Sequence, residues 1–113
     1  MTRFITINDA TSGHADGTCL RGHIMCNYED IVECFGEPED LKGTLGDGKV
    51  DVQWTILFGD GTVATIYNWK NGPMYCGIDG DPPEHIKRWN VGGKSYRALE
   101  HVASSIEGSS ISD

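Results

Sequence analysis

Residues 50–70 alternate between apolar and polar side chains, break once, and resume, and no other stretch constrains the fold as tightly. Val50, Val52, Trp54, Ile56 and Phe58 recur at every second position, the period that puts side chains on one face of an extended strand. Gly59-Asp60-Gly61 interrupts the run, and Thr62 to Lys70 then carries Val63, Thr65, Tyr67 and Trp69 at the same period. The stretch reads as a β-hairpin. Asp60-Gly61 suits a two-residue type I′ turn, whose central positions both need positive φ. That turn sets Phe58 opposite Val63, Ile56 opposite Thr65, Trp54 opposite Tyr67 and Val52 opposite Trp69. It gathers aromatic and β-branched residues on one face. A three-residue loop from Gly59 to Gly61 would shift the pairing by one and scatter them, so the two-residue turn is the expected one.

The 113 residues make one domain, 1–113, long enough for a single core. With 15 Gly and 4 Pro the chain is rich in turns, as short strands joined by tight loops require. A net charge of −8 argues against non-specific binding to nucleic acid, which relies on Lys and Arg displacing counterions. A small anionic ligand in a locally basic pocket remains compatible with it. Cys19, Cys26, Cys34 and Cys76 include no C-x-x-C pair, so the strong metal spacing is missing. The start Met1-Thr-Arg-Phe-Ile-Thr-Ile has no apolar run of the secretory kind, and no stretch nears the roughly 20 apolar residues of a membrane span. The expectation is a protein of the cytoplasm with reduced thiols, no metal and no cofactor.

Along the chain, Phe4 to Ile7 is β-prone and Asn8 to Gly17 reads as a loop. Thr18 to Met25 reads as a strand with a bulge or close approach at Gly22. Asn27 is placed to cap a helix over about 28–35. Glu29 and Asp30 lie in its first turn, and Tyr28, Ile31, Val32 and Phe35 form one apolar stripe. Gly36 and Pro38 end it. Residues 39–49 and 74–83 read as loops, and a further strand is centred on Arg88 to Val91. Gly92-Gly93-Lys94-Ser95 leads into a helix over about 96–106, with Ala98, Leu99, Val102 and Ile106 as its stripe; Ser109 to Asp113 is expected to fray. The expected fold class is α+β: an antiparallel sheet of four to six strands built on the hairpin, with two short helices on one face.

Two constellations bear on chemistry. Gly92-Gly93-Lys94-Ser95, between a strand and a helix, has the exposed amides and positive charge that favour a phosphate. Arg88 stands where a Walker A loop needs glycine. The plainer reading is a strand-to-helix turn with Ser95 as N-cap. The second constellation joins Tyr67, Asn68, Trp69 and Lys70 with Arg88, Trp89 and Asn90: aromatic rings stack on bases, Asn pairs with a base edge, and Lys or Arg holds phosphate. The plainer reading makes Trp69 and Trp89 core residues. No catalytic constellation is visible. Cys34 lies within the amphipathic helix. His14, His23, His85 and His101 have no metalloprotease spacing, Asp79 and Asp81 lack the EF-hand pattern, and no serine sits in a G-x-S-x-G elbow.

The blocks Tyr28 to Pro38, Asp60 to Lys70 and Trp89 to Ser95 resemble a mostly uncharacterised family of small bacteriophage proteins, over about residues 18 to 103. A second resemblance is one of size, expected architecture and the aromatic-plus-Arg/Lys/Asn cluster. It is to the phage anti-Thoeris signal sponges, which bind cyclic ADP-ribose-type messengers as oligomers without cleaving them. It implies a non-enzymatic counter-defence protein of the host cytoplasm that sequesters a small cyclic nucleotide as a homo-oligomer. The binding residues would be Tyr67, Asn68, Trp69, Lys70, Arg88, Trp89, Asn90, Gly92, Gly93 and Lys94. The alternative is an acidic inhibitor that binds a host defence protein, of the anti-CRISPR or anti-restriction kind; an enzyme acting on the signal and a virion protein rank below these.

Overall fold

The computed structural model describes residues 3–7, 17–40, 52–68, 83–106 and 108–112. Trp69 and Lys70, both expected in the site, lie outside the described residues. Among the described residues, seven strands and two α-helices follow in the order β1 (Phe4–Thr6), β2 (Cys19–Met25), α1 (Tyr28–Phe35), β3 (Glu39–Asp40), β4 (Val52–Phe58), β5 (Val63–Tyr67), β6 (Arg88–Gly93), α2 (Arg97–Ser105) and β7 (Ser110–Ser112). A 3₁₀ turn, Pro83–His85, precedes β6. The sheet is antiparallel and open, ordered β1-β4-β5-β6-β2-β7, with the two-residue β3 beside the start of β4. This is the expected α+β fold.

The hairpin forms, but with the three-residue loop in place of the expected two-residue turn. Phe58 N–H donates to Thr62 O at 2.8 Å and Gly61 N–H to Phe58 O at 2.9 Å, so the loop is Gly59 to Gly61. Leu57 then pairs with Val63, Ile56 with Ala64, Thr55 with Thr65, Trp54 with Ile66 and Gln53 with Tyr67. The reason is local. A type I′ turn would need positive φ at Asp60 as well, whereas the three-residue loop needs it only at Gly61, which has φ +90°. The Asp60 carboxylate also accepts the Thr62 N–H through Oδ1 at 3.0 Å. The one-residue shift keeps Val52, Trp54, Ile56 and Phe58 together, joins them with Ala64 and Ile66, and sends Val63, Thr65 and Tyr67 to the opposite face.

Both helices cover the Trp54 face. The stripe of α1 packs as expected, with Ile31 and Phe35 buried and Tyr28 and Val32 against the core. Asn27 N–H donates to Asp30 Oδ2 at 3.0 Å, the returning half of a capping box. Gly36 closes the helix at φ +86°, and its carbonyl accepts the Trp54 indole N–H at 2.7 Å. Helix α2 buries Ala98, Leu99 and Val102. It lies so close to the sheet that a Cβ on Gly93 would collide with that of Ala98, and one on Gly22 would stand 2.6 Å from Leu99 Cδ2. The register of β2 against β6 shifts between Leu20 and Gly22, the bulge expected there.

Three further expectations change. Gly92 and Gly93 sit inside β6, between β5 and β2, and not in a loop before the helix. Ser95 is not the N-cap, a position taken by Tyr96. The tail does not fray over Ser110–Ser112, which pairs with β2 and sets Ile111 opposite Ile24.

Candidate functional site

Strand β6 separates the expected site residues by alternation. Trp89 belongs to the helix-covered face and is fully buried. Its ring lies edge-on to Trp54 with centroids 5.4 Å apart, and 6.2 Å from Tyr28. It can stack on no ligand. Gly93 lies under Ala98 on the same side. Asn68 is fully buried too, and its Oδ1 accepts the Val52 N–H at 3.2 Å, so it serves the backbone of β4. These three are structural.

Arg88, Asn90 and Gly92 alternate with them and belong to the face that carries neither described helix. Asn90 pairs with Tyr67 on β5 and with His23 on β2, and Tyr67 pairs with Gln53 on β4. Gln53, Tyr67, Asn90 and His23 thus form one row across four strands. Asn90 Nδ2 donates to Tyr67 O at 3.3 Å, and an Arg88 guanidinium N–H meets His23 Nδ1 at 3.1 Å. Gly92 is buried beneath the row and lacks a side chain because there is no space for one: a Cβ there would come within 2.6 Å of Thr65 Oγ1 and 3.5 Å of Tyr67 Cε1.

The centre of this face is closed and its β2–β6 end is open. Thr55, Thr65 and Tyr67 are buried, whereas Arg88, Met25 and Leu20 are exposed and His23 and Asn90 half-exposed. Burial raises the Tyr67 hydroxyl above the ordinary phenol range, with the Cys19 thiol adding to it. Little Tyr67 ring is left for stacking, and the polar groups accessible beside Met25 and Leu20 are the Arg88 guanidinium, the Asn90 amide and the His23 imidazole. His23 is not one of the residues expected in the site. A lone histidine in a strand gives no signal until its pairing with Asn90 is known.

Lys94 does not join this group. It lines a separate cleft of about 250 Å³ with Asp60, Gly61, Thr62 and Ser95. Six residues along the chain separate it from Arg88, about 20 Å if extended. In the same region His101 Nε2 donates to Asp60 Oδ2 at 2.8 Å, Arg97 stands 3.8 Å from that oxygen, and the His101 ring lies on Phe58 at 4.8 Å. The His101 hydrogen bond, then those from Thr62, hold the Asp60 carboxyl well below the usual range. This pair fastens the hairpin loop to α2.

The thiols of Cys26 and Cys34 are poor nucleophiles. Burial, then Asp30, pushes Cys26 up to about 12, and burial raises Cys34, whose Sγ donates to Ser105 O at 3.3 Å. Among the described residues, no three or more His, Cys, Asp or Glu gather where they could hold a metal ion, and no helix is long and apolar enough to cross a membrane. No protein-family model and no curated protein matches the chain.

Proposed function

We propose that the open end of the helix-free face, at Arg88, Asn90 and His23, binds a small anionic nucleotide and holds it without turnover. The observation that supports this best is the alternation in β6. It brings an exposed guanidinium and a half-exposed amide out together, on a face without either described helix, in a chain whose net charge is −8. Arg88 has five N–H donors in a planar fork. His23 engages one nitrogen of that fork. The fork suits a phosphate, and Asn90 suits a base edge or ribose hydroxyl. The biological role that follows is sequestration of a cyclic nucleotide immune signal in the host cytoplasm by a phage counter-defence protein. An open sheet face encloses a ligand poorly, so a second copy closing over it is part of the proposal.

The test is calorimetry against cyclic mono-, di- and trinucleotides and cyclic ADP-ribose isomers, with chromatography of the ligand released by heat. Binding with intact recovery, weakened at least tenfold by Arg88→Met, is the expected result. Recovery of an altered ligand, or affinity unchanged by Arg88→Met, overturns the reading. Light scattering of the loaded protein reports the second copy.

A further inference from the structure

Arg88 never loses its proton and has no acceptor, so the 3.1 Å contact between its guanidinium nitrogen and His23 Nδ1 has one polarity: arginine donates and the imidazole accepts. Neutral His23 is therefore held as the tautomer with its proton on Nε2. The same bond ties up one nitrogen of the Arg88 fork. A proton on Nδ1 ends this arrangement, because two N–H groups then face each other and two cations stand side by side.

Around His23, β6 contributes Arg88 and Asn90 and β7 contributes the backbone of Ser112. On β2 itself, Met25 and Arg21 flank it, and Arg21 Nε donates to Gly93 O at 2.8 Å. Tyr67 lies one strand further, beyond Asn90. Arg88 is thus the charged group bonded to the ring. Among the described residues the ion pairs are those of Asp60, and none involves His23 or Arg88.

We propose that His23 makes anion binding on this face pH-dependent: protonation frees the Arg88 fork and adds a second cation beside it. Phosphate-bearing ligands then bind more tightly in mild acid. This rests on the anion-binding reading above and adds its regulation. One further charged donor on the anion corresponds to about tenfold in affinity.

Two probes keep their own charge across the range where imidazoles titrate: inorganic sulfate and cyclic adenosine monophosphate. Their affinity is measured from about pH 8 to about pH 5.5 for the unaltered chain, for His23→Asn, whose amide oxygen can replace Nδ1 as acceptor without titrating, and for Arg88→Met. The expected result is about tenfold tightening in acid for the unaltered chain, a flat profile for His23→Asn and weak binding throughout for Arg88→Met. Binding that is lost in Arg88→Met yet flat with pH in the unaltered chain overturns the His23 inference alone. No binding of either probe at any pH overturns both. Nitrogen NMR of the His23 ring gives a reading independent of ligand: Nδ1 is expected bare at high pH, and a protonated Nδ1 there overturns the inference.

Discussion

Trp89, Val91 and Gly93 face two helices, and Arg88, Asn90 and Gly92, alternating with them along the same strand, face neither. On the first side an indole, an isopropyl group and a missing side chain are shaped to the helices above them. On the second, a guanidinium and an amide stand at an open margin. A cluster that looks like one site in the sequence divides into a core half and a surface half, so adjacency along a strand is poor evidence of a shared site. Pairing across strands is better evidence: Tyr67, Asn90 and His23 are far apart in the chain and in one row of the sheet.

The contrast can be broken most forcefully at Trp89. Trp89→Ala is expected to cost about 3–5 kcal/mol, read from the denaturant midpoint, whereas Arg88→Ala stays within about 0.5 kcal/mol. Equal losses would mean that the two faces carry stability alike. Next, Gly93→Ala is expected to cost about 1–3 kcal/mol from overpacking against Ala98. Adding Ala98→Gly should restore part of it, despite the lower helix propensity of glycine; strictly additive losses would rule out the contact as the cause.

A smaller difference separates the two buried indoles. Trp54 Nε1 donates to Gly36 O, whereas Trp89 Nε1 is buried without a hydrogen-bond partner among the described residues. Trp54→Phe should therefore cost about 1 kcal/mol more than Trp89→Phe beyond what their volumes explain. The reverse order in chemical denaturation would count against this view of the two rings.

The smallest effect concerns Asp60. Its carboxyl is depressed in the folded chain, so the stability it contributes is present above the ordinary Asp value of about 3.9 and is lost as pH falls below it. Asp60→Asn should flatten that acid limb of a thermal-melt profile. An unchanged limb would show that the hydrogen bonds from His101 and Thr62 do not couple to folding.

How much of this the residues announce depends on the range of the interactions involved. Helix α1 is legible in full, since its cap, stripe and Gly36 stop act within a few residues of one another. The hairpin is legible as an element but not in register. Gly59-Asp60-Gly61 allows either loop, and the Asp60 carboxylate is also held by His101, which lies 41 residues away. Strand β7 carries no signal of its own because Ser110 and Ser112 are polar; it forms where Ile111 meets Ile24 at the edge of β2. Of the candidate site, Arg88 and Asn90 are legible as polar groups on a strand, but His23 joins them only through the pairing of β2 with β6.

The types of the longer elements, the α+β class, the apolar stripes and the acidic charge follow from the order of the residues, because periodicity, capping and turn chemistry act over short range. Which face of β6 the helices take does not. Alternation makes two faces and is silent about which one α2 will press on. Tertiary packing settles that, through Ala98 against Gly93 and Leu99 against Gly22, and with it the burial of Trp89 and the exposure of Arg88.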